Sequence, residues 1–268
     1  MPTPNPAGDA SPEGQPVRPN RPAAAVGGSG RAAFGSVYDP IAGVYDEWSR
    51  SVREDIDFYV GLASSAGGPV VELAVGTGRI AVAAAEAGVS VIGVDSSEEM
   101  LAECHRRAKS HGVEGLLDLR LGDLASPPVD ERVDLVLVPF RSYLHLHADR
   151  QRRQALRAAY DLLTPGGLLV FDVFCPSEAD IDETHARWLE REPGIWEHAE
   201  WNRSTRRLNL SVRSERGETT MELAWLEPHE WLRLLEATGF CVEDCYGWFD
   251  RRPFAGGEDS VWVARRPA

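Results

Sequence analysis

The sequence predicts an α/β fold organised around a mostly parallel sheet, and three observations predict it. Short apolar runs alternate with amphipathic helical stretches from residue 69 to residue 174, the pattern of a parallel sheet covered by helices on both faces. A glycine-bearing turn, Gly76-Thr77-Gly78, joins the first run to a helix. Glu72, Asp95 and Asp123 fall at or near the carboxyl ends of successive runs, where open α/β sheets bind their ligands.

Taken in order, residues 1–32 are rich in Pro, Gly, Ala and Ser with few large apolar side chains. Such a segment cannot bury enough surface to offset its chain entropy and is expected to be disordered, with folding beginning near Ser36. Residues 33–67 are expected to form a helical cap. Tyr38, Tyr45, Trp48, Phe58 and Tyr59 recur at helical spacing between Val37 and Ala63, and Pro40 suits a first helical turn.

The core, 68–175, reads as strand 69–74, helix 78–87, strand 90–95, helix 97–111, strand 116–121, strand 133–138, helix 149–163 and strand 168–174. Residues 176–226 break the alternation. Strand-like runs at 194–202, 206–214 and 217–226, with a turn signal at Arg216-Gly217, predict a small antiparallel insertion acting as a lid over the carboxyl edge. Residues 227–268 complete the core with a helix from Pro228 to a glycine C-cap at Gly239 and strands at 240–248 and 258–265.

The unit from Val70 to Asp95 carries the chemistry. Glycines at the turn let the backbone approach a ligand closely, and the helix behind them aims free N–H groups at it. Asp95, at the tip of the next strand, is placed to accept the two hydroxyls of a ribose. The run from Ala74 to Ala81 lacks the third glycine of a dinucleotide fingerprint. Glu72 beside the turn is awkward for a diphosphate but suits a cofactor bearing an ammonium group. An NAD-linked dehydrogenase is disfavoured on both counts.

Residues 70–101 resemble the cofactor motif of class I S-adenosylmethionine (SAM)-dependent methyltransferases, E/D-x-G-x-G-x-G, with Ala74 at the first glycine. The resemblance continues through Gly122-Asp123-Leu124 after the third strand, Asp134 to Val138 as the fourth, and the turn from Leu163 through Pro165-Gly166-Gly167 before the fifth. It implies a Rossmann-like, mostly parallel seven-stranded sheet with a C-terminal antiparallel strand, and SAM as the cofactor. Glu72, Ala74, Gly76, Gly78, Asp95 and Asp123 would hold that cofactor, joined by Arg79, Ser96, Met100, Gly122 and Leu124. Pro139, Phe140 and Arg141 would line its methionine side, and Tyr45 would close over it from an N-terminal helix.

The segment from Pro139 to His147 resembles the P-F-R-S-F/Y-x-H-L stretch of small-molecule methyltransferases. His145 is the expected base, with Tyr143 as an alternative; a histidine packed to fix the loop is an equal reading. Tyr38, Trp196, His198 and Trp225 are the expected acceptor contacts, although aromatic residues at such spacing also build cores.

A net charge of −14 disfavours nucleic acid, and the Asn/Asp-Pro-Pro-Tyr motif of base-amine methylation is absent. Cys104, Cys175, Cys241 and Cys245 have no metal-like spacing. No apolar stretch reaches membrane-spanning length and no leader is evident, so a cytoplasmic protein is expected. The single lysine, Lys109, among many arginines and alanines is the composition of a high-GC bacterial genome. The function expected is methyl transfer to nitrogen or oxygen of a small molecule, a bacterial secondary metabolite such as an antibiotic or amino sugar. The alternatives are a small amine or carboxylate of primary metabolism, or a catalytically silent SAM-binding module. The oligomeric state is left open.

Overall fold

The computed structural model describes residues 38–43, 45–50, 53–257 and 259–268. The tail expected over 1–32 and the folding start at Ser36 lie outside the described residues. Apolar runs form the central strands β1 (Val70–Leu73), β2 (Val91–Asp95), β3 (Leu117–Leu121), β4 (Val133–Val138) and β5 (Leu163–Phe174). β10 (Cys241–Tyr246) and β11 (Asp259–Arg265) complete a seven-stranded sheet in the order β10-β11-β5-β4-β1-β2-β3. The ladders β3-β2-β1-β4-β5 are parallel, and β11 runs antiparallel to both β5 and β10. The expected mixed sheet is what the chain forms. Strand order reverses between β1 and β4, opening the crevice at their carboxyl ends where a ligand fits.

Helices α3 (Arg79–Glu86), α4 (Glu98–His111), α5 (Asp149–Leu162) and α7 (Pro228–Thr238) flank the sheet. Gly78 and Ser97 sit at the N-caps of α3 and α4, and Ser97 Oγ accepts the Met100 amide. α7 closes on Gly239 in the left-handed conformation, as its sequence foretells. Among the described residues no helix is long and apolar enough to cross a membrane.

Three expectations need correction. The helix expected over 37–63 is broken into a 3-10 turn, Asp39–Ile41, a short α1 (Tyr45–Trp48) and α2 (Glu54–Ser65). Its aromatic residues serve two different surfaces: Tyr38, Tyr45 and Trp48 pack with Ile195, Val212 and Met221, whereas Phe58 and Tyr59 pack against the central sheet. One straight helix cannot reach both. β5 starts at Leu163, ahead of the expected 168, because the Pro165-Gly166-Gly167 turn is absorbed as an irregularity between the pairs Val133↔Leu163 and Leu135↔Leu168.

The insertion also holds more than expected. Alongside β7 (Ile195–Asn202), β8 (Arg207–Ser214) and β9 (Gly217–Ala224) it contains α6 (Glu178–Thr184) and β6 (Trp188–Glu192), giving a four-stranded antiparallel sheet in sequential order. The start of α6 was readable: Ser177 and Asp180 form a reciprocal capping box. One face of this sheet packs on the carboxyl edge of the central sheet, with Ala199, Leu208, Leu223 and Trp225 sharing a core with Phe171 and Phe174.

Candidate active site

The turn after β1 is built on left-handed backbone. Ala74 (φ 59°), Gly76 (φ 56°) and Gly78 (φ 80°) all take it. Space in front of Gly76 is open, while a Cβ on Gly78 would lie 2.5 Å from Cys104 Sγ. One glycine therefore leaves room for a ligand and the other lets α3 pack on α4. Asp95 ends β2 with Oδ2 accepting the Gly76 N–H (2.8 Å) and Oδ1 accepting the Ser97 N–H (2.9 Å). Burial pushes its carboxyl up, against the pull of those amides. Each oxygen still has a lone pair for an outside donor.

Glu72 is buried, its Oε2 has no partner, and burial holds its carboxyl well above the usual carboxylate range. Ser96 is exposed beside Asp95, and Met100 is buried in the first turn of α4. Gly122 donates its amide to the Asp95 carbonyl (2.8 Å), and Asp123 Oδ1 accepts from Ala125 N–H (2.7 Å). Leu124 packs against the main core.

The N-terminal segment folds over this turn. Ser97 Oγ donates to Asp39 (2.6 Å), Thr77 Oγ1 donates to Asp46 (2.6 Å), and Arg107 pairs with Asp46 (2.9 Å). Tyr45 sits edge-on to Tyr38, Trp48 and Phe140, with ring centroids 5.5 to 6.0 Å apart. Arg79 is ion-paired with the buried Asp55 and lies 4.8 Å over the Phe140 ring.

Beyond Phe140 opens a cavity of about 480 Å³ between the loop after β4 and the inner face of the four-stranded sheet. Tyr38 and His145 meet on its wall, with Tyr38 Oη and His145 Nε2 2.7 Å apart. Burial, with His147 nearby, drives the His145 pKa down to about 4, so its ring is neutral at physiological pH. Phe140 and Arg141 also line the cavity, the Arg141 guanidinium pairing with Asp259 (2.6 Å). Pro139 is buried at the end of β4 and accepts the Ser142 hydroxyl through its carbonyl (2.7 Å).

Four expected site residues lie elsewhere. Tyr143 is 1% exposed, packed on Phe171 and Trp231 with its hydroxyl unpartnered; it belongs to the core. Trp225 is buried edge-on to Trp201. Trp196 and His198 point to the outer face of β7, where the His198 ring meets that of Trp188. Strand alternation explains this, because Glu197, Ala199 and Trp201 take the inward phase and line the cavity. Sequence reasoning pointed to the tryptophans of the insertion, of which Trp201 lines the cavity, but missed Asp55, Glu197 and Asp172. The one signal for Asp172 was an acid inside the apolar run of β5.

A family model described as a methyltransferase domain matches residues 70–167. The uncharacterized methyltransferase GK2543 of Geobacillus kaustophilus is 31% identical over 156 residues, 56% of this chain and 70% of that one. The chain belongs to the class I SAM-dependent methyltransferase family. The CcbJ methyltransferase of Streptomyces caelestis superimposes with a TM-score of 0.73 at 27% identity, covering 87% of this chain and 99% of CcbJ. Matches to other curated relatives span only 45% to 64% of their length.

SAM fits the residues present. The open face of Gly76 admits a ligand against the backbone, Asp95 has acceptor capacity for a ribose, and the buried Glu72 oxygen lacks a partner. Asp95 and Asp123 would hold the adenosine of the cofactor, with Met100 beneath, and Tyr45 and Phe140 would flank its methionine end.

Proposed function

We propose that this chain transfers a methyl group from SAM to the nitrogen of a small-molecule amine, in the tailoring of a bacterial secondary metabolite such as an amino sugar. The composition of the cavity wall carries this reading. Asp55, Asp172, Asp180, Glu183, Glu197 and Asp259 line it against Arg141, Arg187 and Arg191, with Arg79 neutralising Asp55. Excess carboxylate attracts a cation and disfavours an anionic acceptor. Trp48, Trp201, Leu208 and Leu223 supply the apolar surface that a small ring stacks on. The glycine/sarcosine N-methyltransferase of Parasynechococcus marenigrum, 30% identical over 129 residues (47% of this chain, 45% of that one), supports an amine acceptor. So does the fold shared with CalS10, an amino pentose methyltransferase of Micromonospora echinaspora, at 17% identity and a TM-score of 0.61.

When bound, SAM supplies an electrophilic methyl carbon, so the protein contributes orientation and exclusion of water. The N-terminal segment closes one side through Asp39 and Asp46, and the inner face of β7 to β9 closes the other. An amine acceptor arrives as an ammonium ion and must lose a proton before its lone pair attacks. Neutral His145, bonded to Tyr38, faces the cavity. With its pKa near 4 it is too weak a base to take that proton, so the proton leaves to solvent and His145 with Tyr38 orients the neutral amine.

The reading is tested by calorimetric binding of SAM, S-adenosylhomocysteine and NAD, then by transfer of labelled methyl to matched amino and hydroxy sugars. Binding of the first two alone, with label only on the amines, is expected. Label on the hydroxy sugars alone overturns the nitrogen assignment, and failure to bind SAM overturns the whole reading.

A further inference from the structure

Two consecutive residues with side chains, Phe140 (φ 56°) and Arg141 (φ 62°), hold left-handed backbone in the loop after β4. That conformation is disfavoured for any residue with a Cβ and persists only where the surroundings enforce it. Successive amides in such a turn converge and form a concave site for an anion. Here the anion belongs to the protein. Asp172 of β5, 6% exposed, accepts the Phe140 N–H on Oδ1 (2.8 Å) and the Arg141 N–H on Oδ2 (3.0 Å). The hydroxyl of Tyr59, fully buried on α2, donates to Oδ1 as well (2.6 Å).

We propose that Asp172 is the positioning residue of this site: its carboxylate fills the amide nest after β4 and thereby sets Phe140 against the cofactor turn and His145 on the acceptor cavity. The proposal rests on reading that cavity as the methyl-transfer site. Arg141 is the link to His145, because it caps the 3-10 turn Ser142–His145 and its carbonyl accepts the Leu144 amide (2.9 Å). Phe140 reaches the other side through its contacts with Tyr45 and Arg79.

The charged and titratable groups facing it are Tyr59 and Asp55 from α2 and Arg141 from the loop. Burial, with Asp55 adding to it, pushes the carboxyl up to about 6, while the Tyr59 bond, Arg141 and the Phe140 amide oppose. The nest is therefore strongest above that pH and weakens below it.

The test uses the full 15N-labelled chain without ligand. The amide resonances of Phe140 and Arg141 should titrate together with a midpoint near 6. In Asp172→Asn that titration should vanish. Amide exchange across 139–145 should rise about tenfold to hundredfold, the range expected for losing a hydrogen bond to a charged group, with β1 and β2 unchanged. Arg141→Gly removes the steric penalty at one nest position, so Asp172→Asn should accelerate exchange less in that background.

Calorimetry with S-adenosylhomocysteine should show weaker binding by folded Asp172→Asn, by about tenfold. Flat amide titration in the wild-type chain overturns the proposal, and this arm needs no variant to fold. Unchanged exchange in Asp172→Asn overturns it too, as does an opened loop with unaltered S-adenosylhomocysteine affinity. A wild-type chain that binds no S-adenosylhomocysteine overturns the functional reading, while the amide data still decide the nest.

Discussion

Removing the Asp55 carboxylate should destabilise this protein far more than a surface mutation, and more than removing both members of its ion pair. Asp55 is 1% exposed and the Arg79 side chain 11%. Burial pushes the Asp55 carboxyl up even though Arg79 pulls it down, so desolvation outweighs the attraction. In that regime the intact pair adds little net stability, but breaking it strands a buried charge at a cost of about 3–5 kcal/mol. For a domain of this size each kcal/mol moves Tm by about 2–4 °C, so Asp55→Asn and Arg79→Met should each lower Tm by about 6–20 °C. The double variant removes both charges and should lose much less than the sum. Urea unfolding of the four proteins gives the coupling energy, and values above about 1.5 kcal/mol are expected. Additive effects, or a loss below about 1 kcal/mol for Asp55→Asn, would refute the view that Arg79 is committed to Asp55.

Other substitutions separate the remaining assignments. Ala74→Gly should leave stability unchanged or raise it by up to about 1 kcal/mol, because relief of the left-handed alanine offsets the freedom glycine gains when unfolded; chemical denaturation measures it. Trp225→Ala should cost about 3–5 kcal/mol, as for any buried tryptophan, whereas Trp196→Ala, 40% exposed, should stay within about 0.5 kcal/mol and leave acceptor binding intact. His145→Gln should lower turnover without moving the acid limb of a pH–rate profile, since a group titrating near 4 is already neutral at pH 6. The folded pKa of Asp172, near 6, exceeds its ordinary 3.8, so its contribution to stability is complete below 3.8 and lost as pH rises through 6. The span is roughly 3 kcal/mol, and Asp172→Asn should lack that slope in urea titrations.

Strands β1, β2, β4 and β5 were legible because they are largely buried on both faces and so read as nearly unbroken apolar runs. The acids Glu72, Asp95 and Asp123 were legible because they punctuate those runs. Phase was harder. On β7, period-two alternation was readable, but nothing local distinguishes Trp196 and His198 outside from Glu197, Ala199 and Trp201 inside; the decision belongs to the edge the sheet packs on. The same holds for Tyr143 and His145, two residues apart in one loop, one sealed against Phe171 and the other facing the cavity. Asp172 was out of reach for a different reason. Its donors lie 31, 32 and 113 residues away, so its role is written only in the assembled fold.

Strain and burial meet at the same place. Ala74, Phe140 and Arg141 are residues with side chains in left-handed backbone. They sit just past the carboxyl ends of β1 and β4, which are hydrogen-bonded neighbours in the sheet. Each is held by an acid at a strand end: half-buried Asp95 grips the turn that follows Ala74 through the Gly76 amide, and buried Asp172 grips Phe140 and Arg141. Strained backbone at a strand end survives only when its neighbours over-determine it, and a buried carboxylate that must find donors supplies that constraint. The acids therefore do two jobs with one charge. They fix the two loops that flank the cofactor turn and the cavity, and their charge favours cations. On the proposed function, an amine acceptor beside a sulfonium donor is the ligand pair that such a site would favour.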